Sequence, residues 1–437
     1  MANKKAVSIF WFRRDLRPDD NAGFYHALKG NEPVIPFFIF DRQILGDLKD
    51  KDDARVTFIH QAITELNATL KKHGSNILVF YDDPIQAWKK LLEIHNVAHV
   101  YANHDYEPYA KERDAAVANM LEKHNITFST YKDQVIFESD EVMKDDGKPY
   151  TVFTPYKRKW LQTLNAFYMK SFPNKKYFKN LFQFEAPHLP ALKEMGFSIS
   201  SQNFPDKNYK STIDDYAKTR DFPAVNGTSR VGMHLRFGTV SIRRLVQDAV
   251  EAREKTWLSE LIWREFFMMI LYHFPKTVDH AFRPEYDRIQ WRNNEEEFNA
   301  WCRGETGYPL VDAGMRELNA TGFMHNRVRM VTASFLSKHL LIDWRWGEQY
   351  FAQKLLDYEM SSNVGNWQWV AGSGTDAAPY FRIFNPEAQT KRFDPKMEYI
   401  KKWVPEYADF SKYPKPIVDH VFARDRCLKA FKAALSK

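Results

Sequence analysis

Two hydrophobic periods alternate along the first 135 residues, and this alternation limits the fold more than any other feature. AVSIFWF (6–12), EPVIPFFIF (32–40), SNILVFY (75–81) and VAHVYAN (97–103) are short runs of branched and aromatic residues. Such runs suit strands covered on both faces, as in a parallel sheet. Between them lie RVTFIHQAITELNATLKKHG (55–74), PIQAWKKLLEIHN (84–96) and YAKERDAAVANMLEKHN (109–125), which carry helical spacing. Gly74, Asn96 and Asn125 stand where helix C-caps fall. The alternation predicts βαβ units in a Rossmann-like, doubly wound parallel sheet over residues 1–135. Its only glycines are Gly23, Gly30, Gly46 and Gly74, so G-x-G-x-x-G is missing. A dinucleotide held by the usual phosphate turn is therefore not expected there.

The texture changes after residue 135. Residues 136–210 are rich in Lys, Pro, Phe and Asn with weak periodicity, and predict a surface connector with one helix near 156–169. Residues 211–437 carry long helical patterns, including 256–274 and 315–341, and predict an all-α domain. No stretch reaches the length of a membrane span, and the first residues run into a strand without a signal-peptide core. A cytoplasmic monomer is expected, associated with the nucleoid when on DNA. Cys302 and Cys427 stand outside any metal-like spacing, so neither a disulfide nor a metal site is expected. The net charge of +7 suits a polyanionic partner. Aromatic residues make up 15%, with 12 Trp, which serves large cores but also flat ligands, stacked bases or electron transfer.

Four constellations in the second half could carry chemistry. In DFPAVNGTSRVGMHLRFGTVS (221–241), Thr228, Ser229 and Arg230 follow Gly227. They make a phosphate-binding loop, or, as such strings more often do, a helix cap. Glu260, Trp263 and Arg264 fall at i, i+3 and i+4 of a helix beginning near Trp257. They form a surface ion pair beside a packed indole, or line a polar–aromatic cavity. In MHNRVRM (324–330), Asn326, Arg327 and Met330 share one face, while Arg329 points elsewhere and can reach Asp357. His325 reads as a satisfied polar residue. The fourth runs from Asp357, Tyr358 and Glu359, as a helix end, into a turn rich in Asn and Gly around Asn363. Trp367 and Trp369 follow, and then a long loop to Gln389, of a kind that is often functional.

WFRRDLR (11–17), WLSELIWREF (257–266), TGYPLVDAGMREL (306–318), MHNRVRM, DWRWGE (343–348) and NWQWVAGSGTDAAPYFRIFNP (366–386), in that order, closely resemble the photolyase/cryptochrome family. Among its branches, the class I cyclobutane pyrimidine dimer (CPD) photolyases are most similar. The resemblance covers essentially the whole chain. It implies an α/β domain, a connector and a helical domain holding FAD in a U shape. It implies that Tyr216, Thr228, Ser229, Arg230, Val231 and Gly232 contact the adenine side and phosphates. Trp257, Glu260 and Arg264 would flank the flavin and the lesion cavity. Asp357, Tyr358 and Glu359 would reach the ribose or ring edge, with Arg329 pairing Asp357. Asn363 falls opposite flavin N5, where an amide suits a reduced anionic flavin. Glu359 departs from the family, which usually has aspartate there.

By the same resemblance, Trp367, Trp344 and Trp291 form an electron relay from flavin to surface. The substrate pocket for DNA containing cyclobutane dimers would be Glu260, Trp263, Arg264, Asn326, Arg327, Met330 and Trp369, with Gln389 near the DNA backbone. Lys157, Arg158, Lys159, Lys391 and Arg392 are candidate phosphate contacts. Met330 and Trp369 set the branch, because (6-4) photolyases generally have histidine at the first position and DASH cryptochromes prefer tyrosine at the second. An antenna chromophore near Glu107 is implied, methenyltetrahydrofolate ahead of deazaflavin or FMN. The implied activity is light-driven dimer repair by one electron from excited reduced FAD. The alternatives are a cryptochrome-type photoreceptor, for which a longer C-terminal tail would be expected, and a DASH-type single-strand photolyase.

Overall fold

The computed structural model describes residues 5–409 and 411–436. The outer ends of the expected first and last domains, residues 1–4 and 437, lie outside the described residues. The chain separates into two compact units, each assembled from three segments. The first unit runs to Glu141 and adds Thr163–Lys207 and Val231–Glu251. The second takes Val142–Gln162, Asn208–Arg230 and everything from Ala252 on.

In the first unit, β1 (Val7–Phe12), β2 (Val34–Asp41), β3 (Leu78–Asp82), β4 (Val97–Asn103) and β5 (Thr127–Tyr131) form one sheet in the order β3-β2-β1-β4-β5. All pairings are parallel, with Ile9 opposite both Ile35 and Val100. The order reverses at β1, as doubly wound sheets do. Every residue of β1 and β2 is buried, which is why both read as unbroken apolar runs. β5 was not expected. Its TFSTY is half polar and sits at the sheet edge, so no apolar run marks it. The expected helices form at Ala54–Lys71, Pro84–Ile94 and Pro108–Lys123. Gly74 (φ +73°) and Asn125 (φ +57°) take the left-handed backbone expected just past a helix. Asn96 does not cap: the helix before it ends on an extended His95.

The division differs from three consecutive segments bounded at 135 and 210. The connector expected over 136–210 is shared out by its anchors. Trp160, 1% exposed, donates Nε1–H to Glu265 at 2.6 Å and belongs to the helical unit. Asn174, fully buried, donates to the Asn21 carbonyl at 2.9 Å and belongs to the α/β unit. The helix Ile242–Glu251 returns to the α/β unit through Ile242, Leu245 and Val246. Its Arg243 meets Asp20 and Asp133, both at 2.8 Å.

The second unit is all-α around a core that includes Trp301, Val311, Met324, Phe335, Leu336, Trp344 and Trp367. The long helix expected over 315–341 is broken. Pro309–Thr321 ends on Gly322 (φ +65°), and Asn326–Ser334 starts afresh, with the His325 ring accepting from Arg327 N–H. Burial pushes His325 down to about 4, so its ring is neutral and able to accept. The expected Asn/Gly turn around Asn363 is instead a helix, Met360–Ala371. Asn363, Val364, Trp367, Val370 and Ala371 are among its buried residues, spaced at helical period.

Candidate functional site

The helical unit encloses a cleft of about 550 Å³, part of it open to solvent. The helix Asn326–Ser334 supplies Asn326, Arg329 and Met330. Asp357, Tyr358 and Glu359 come from the turn before Met360–Ala371, and Asn363, Asn366, Trp367 and Val370 from that helix. Arg329 does not point away from Asn326 and Met330, as helical spacing suggested. All three line the same cleft, because the following turn brings Asp357 round to Arg329. Arg329 Nη2 donates to both Asp357 oxygens, at 3.1 and 2.9 Å, and Nε donates to the Met324 carbonyl at 2.7 Å. Held at both ends, the guanidinium has a fixed plane.

Asn363 is oriented as firmly. Its Nδ2 donates to the Glu348 carbonyl at 3.1 Å and to Glu348 Oε1 at 2.9 Å. Burial raises the Glu348 carboxyl, against the hydrogen bond from Asn363. Glu359 is 8% exposed. Trp367 forms the inner wall at 2% exposure, 5.0 Å from Phe351 at a steep angle. Gly347 makes this possible: a Cβ there would overlap the Trp367 indole and the Leu336 side chain. Trp344, also 2% exposed, lies in the same packed cluster, with half-buried Trp291 against it. Trp367 and Trp344 are thus equally buried members of one cluster, with Trp291 at its margin.

A second set of side chains stands on the 18-residue helix Thr256–His273. Glu260 is ion-paired to Arg220, and Arg327 to Asp221 at 2.6 Å, so two consecutive residues neutralise two expected substrate contacts. Burial raises the Glu260 carboxyl, and Arg220 opposes it without cancelling it. Arg327 also approaches Met330 Sδ at 3.9 Å and lies 4.2 Å over the Phe393 ring. Trp263 stacks flat on Phe153, with centroids 3.6 Å apart and planes 7° from parallel. Lys157 donates to Ser259 at 2.6 Å. Trp369 is half-buried against the helical core, and Gln389 sits on the helix Pro386–Phe393 with a buried Oε1 that has no partner among the described residues.

In the Thr228–Arg230 loop, Ser229 accepts from Trp257 Nε1 at 3.4 Å. Trp257 stacks on Tyr209 at 5.3 Å. Arg230 has φ +52° and lies 4.3 Å over Phe323. The helix that follows, Gly232–Arg236, starts from Val231 without a side-chain cap, so the helix-cap reading of Thr228 and Ser229 does not hold. Burial, then the charge of Glu260, pushes the Tyr216 phenol far up. Val231 and Gly232 fall in the α/β unit. So does Glu107, which is ion-paired to Arg14 at 3.1 Å and to Arg236. Arg220, Asp221, Phe153 and Glu348 were not singled out from sequence. The adjacent opposite charges of Arg220 and Asp221, just before the Gly227 loop, were the available signal.

The donor set suits a flat, hydrogen-bonding ring system: a fixed guanidinium, an oriented amide, carboxylates and an indole wall. A parallel α/β unit combined with a helical unit carrying such a cleft defines a class of cofactor-dependent enzymes, and the comparisons narrow it. Residues 257–412 match the model described as the FAD binding domain of DNA photolyase, and residues 8–176 the DNA photolyase model. A deoxyribodipyrimidine photo-lyase of Alkalihalophilus pseudofirmus is 35% identical, with 99% of each chain covered. The structure of a bacterial class III photolyase from Agrobacterium tumefaciens is 32% identical with a TM-score of 0.84, covering 100% of this chain and 99% of its own. An archaeal photolyase from Sulfolobus tokodaii, with two FAD molecules, is 33% identical with a TM-score of 0.85, covering 98% of this chain and 100% of its own. The chain belongs to the DNA photolyase family.

Proposed function

We propose that the cleft and the adjoining helix face together repair cyclobutane pyrimidine dimers, with Arg329, Asp357, Glu359 and Asn363 holding the flavin and Glu260, Trp263, Arg327, Met330 and Trp369 receiving the lesion. Light-driven repair using FAD is the chain's activity. When bound and reduced, FAD supplies on excitation by near-UV or blue light the single electron that splits the dimer and then returns. The rest falls to the protein. Extrusion of the target base is general to enzymes acting on bases, photolyases among them, and a dimer that already stacks and pairs poorly is cheap to extrude. Trp263 and Trp369 offer faces for the two pyrimidines. Glu260, whose carboxyl burial raises above its ordinary range, hydrogen-bonds the pyrimidine carbonyl edge as charge develops there. Its partner Arg220 exchanges to DNA phosphate. Arg329 and Asn363 act by orientation, since neither has freedom to turn. The relay Trp367, Trp344 and Trp291 delivers reducing equivalents from the surface.

The observation that carries this reading is the juxtaposition, within one unit, of the Arg329–Asp357–Asn363 cleft with the Glu260–Arg220 and Arg327–Asp221 pairs. Dimer-containing and undamaged oligonucleotides should separate strongly in affinity. Trp263→Ala should remove about 1–3 kcal/mol of that separation, as loss of a base-stacking ring does. Equal affinity of the unsubstituted protein for both DNAs would refute it. For the antenna we propose a folate at the Glu107 loop, where the ligand would compete with Arg14 and Arg236 for the carboxylate. An absorption and fluorescence spectrum of the denatured extract identifies FAD and any second chromophore together. The protein acts as a cytoplasmic monomer, and no helix among the described residues is long and apolar enough to cross a membrane.

A further inference from the structure

The two indoles assigned to the lesion stand on different helices of the helical unit, Trp263 on Thr256–His273 and Trp369 on Met360–Ala371. A short strap of chain, residues 372–376, runs from the end of the second helix to the segment packed against Trp263. At its origin the strap is rigid. The N–H groups of Gly372, Ser373 and Gly374 all donate to the Gln368 carbonyl, at 2.9, 3.0 and 3.1 Å, and turn the chain back onto the helix that carries Trp369. Gly374 has no room for a side chain there: a Cβ would meet the Gln368 carbonyl carbon and the Trp369 nitrogen, each at 3.0 Å.

At its far end the strap grips residues 151–153. Thr375, buried, donates its hydroxyl to the Thr151 carbonyl at 2.7 Å. Asp376 Oδ2 accepts from Phe153 N–H at 3.1 Å. Phe153 opens the helix Phe153–Thr163, and the first N–H groups of a helix have no partner within it. A carboxylate brought from 223 residues away therefore caps this helix and favours its positive end. Asp376 does so at φ +47°, a left-handed backbone that aspartate tolerates better than most residues.

Phe153 in turn backs Trp263. It is buried, and its ring lies flat on the indole at 3.6 Å. Phe266 meets the indole at 5.6 Å and 81°, and Phe267 lies 5.5 Å away. The indole cannot turn without displacing these rings, so its plane is set from behind. Trp263 is itself only half-buried, which leaves part of the ring accessible. The path from one indole to the other is short and fixed at each joint: Trp369, the Gln368 turn, Asp376, Phe153, Trp263.

We infer that Asp376 is a positioning residue for repair: by clamping Phe153 behind Trp263 it sets the spacing and tilt of the two indoles, and with them the preference for a joined pyrimidine pair over two free pyrimidines. The inference rests on the repair reading. Pyrimidines fused through a cyclobutane ring have one relative geometry. A rigid pair of walls selects that geometry, whereas a loosened pair must be ordered by the ligand and loses its advantage.

The test compares the affinity of FAD-loaded protein for dimer-containing and undamaged oligonucleotides. Asp376→Gly keeps the left-handed backbone available and removes the acceptor. It should lower the affinity ratio by about tenfold, nearly all of it through weaker dimer binding. Asp376→Asn retains an oxygen acceptor and should restore most of the ratio. Phe153→Leu leaves the clamp in place but removes the flat backing, and should lower the ratio by a similar factor. Flavin photoreduction should be unchanged in all of these proteins. Should Asp376→Gly fail to hold FAD, Phe153→Leu decides. An undiminished ratio in Asp376→Gly and Phe153→Leu, even with a lowered Tm, overturns the inference and leaves the repair reading standing. So does an Asp376→Asn protein as impaired as Asp376→Gly, because the acceptor would then not be what matters. A ratio near one in the unsubstituted protein overturns the repair reading and this inference with it.

Discussion

Both units bury paired charges, but they use them in opposite ways. In the α/β unit, the Asp133 side chain is 1% exposed and clasped by Arg17 at 2.7 Å and Arg243 at 2.8 Å. Burial raises its carboxyl, but the two guanidinium groups outweigh burial and hold it below the ordinary range. In the helical unit, the side chains of Glu260 and Arg220 are 31% and 26% exposed, and those of Arg327 and Asp221 20% and 40%. There burial outweighs the cation, and the Glu260 carboxyl is raised. The first arrangement is closed on itself and ties the helix Ile242–Glu251 to its unit. The second is half-open, so a ligand can take over one partner without stranding the other in a dry interior. Closed pairs are architecture, whereas half-open pairs beside a cleft are exchangeable contacts.

The comparison is most sharply tested by breaking the closed pair. Asp133→Asn leaves Arg17 and Arg243 short of a counter-charge and should cost about 3–5 kcal/mol of stability, read from the denaturant midpoint. Repair per folded molecule should be unchanged. Packing around the relay comes next. Gly347→Ala should cost about 1–3 kcal/mol by driving a methyl into Trp367. It should also slow flavin photoreduction. Trp367→Phe should slow photoreduction as well, while repair by pre-reduced enzyme stays nearly intact. Equal loss of both activities would contradict the relay assignment.

Smaller effects follow from pH. Because the folded-state carboxyl of Asp133 is depressed, its contribution is full above the ordinary aspartate range and fades as pH falls through the folded value. Stability of the unsubstituted protein should therefore drop on acidification below pH about 4, and the Asp133→Asn protein should show a shallower drop. Glu260 carries the opposite sign. Arg220→Ala removes the main charge opposing burial, so the Glu260 carboxyl should rise further. The pH at which lesion binding changes should move upward, with little change in stability.

Much of the α/β unit was legible because β1 and β2 are buried on both faces and read as unbroken apolar runs. β5 was not, because an edge strand of Thr and Ser carries no such mark. The helix Met360–Ala371 was mistaken for a turn because Asn363, Gly365 and Asn366 are weak helix formers. Tertiary packing overrides them: a Cβ at Gly365 would overlap Phe267, so the small residue serves close helix contact rather than a bend. Cleft residues were found through motif resemblance, and the Arg329–Asp357 pair also through reach. Arg220, Asp221 and Glu348 were missed because their importance lies in what they hold, and spacing along the chain does not show a partner 40 or 106 residues away.

Whether the helical unit is a light-driven repair site is tested most directly by illumination. Protein with reduced FAD is mixed with dimer-containing DNA, exposed to blue light, and the return of thymine absorbance in the ultraviolet is followed against a dark control. Light-dependent recovery that is lost when the flavin is removed is the predicted result. No recovery under illumination, with reduced FAD confirmed in the protein, would contradict the assignment.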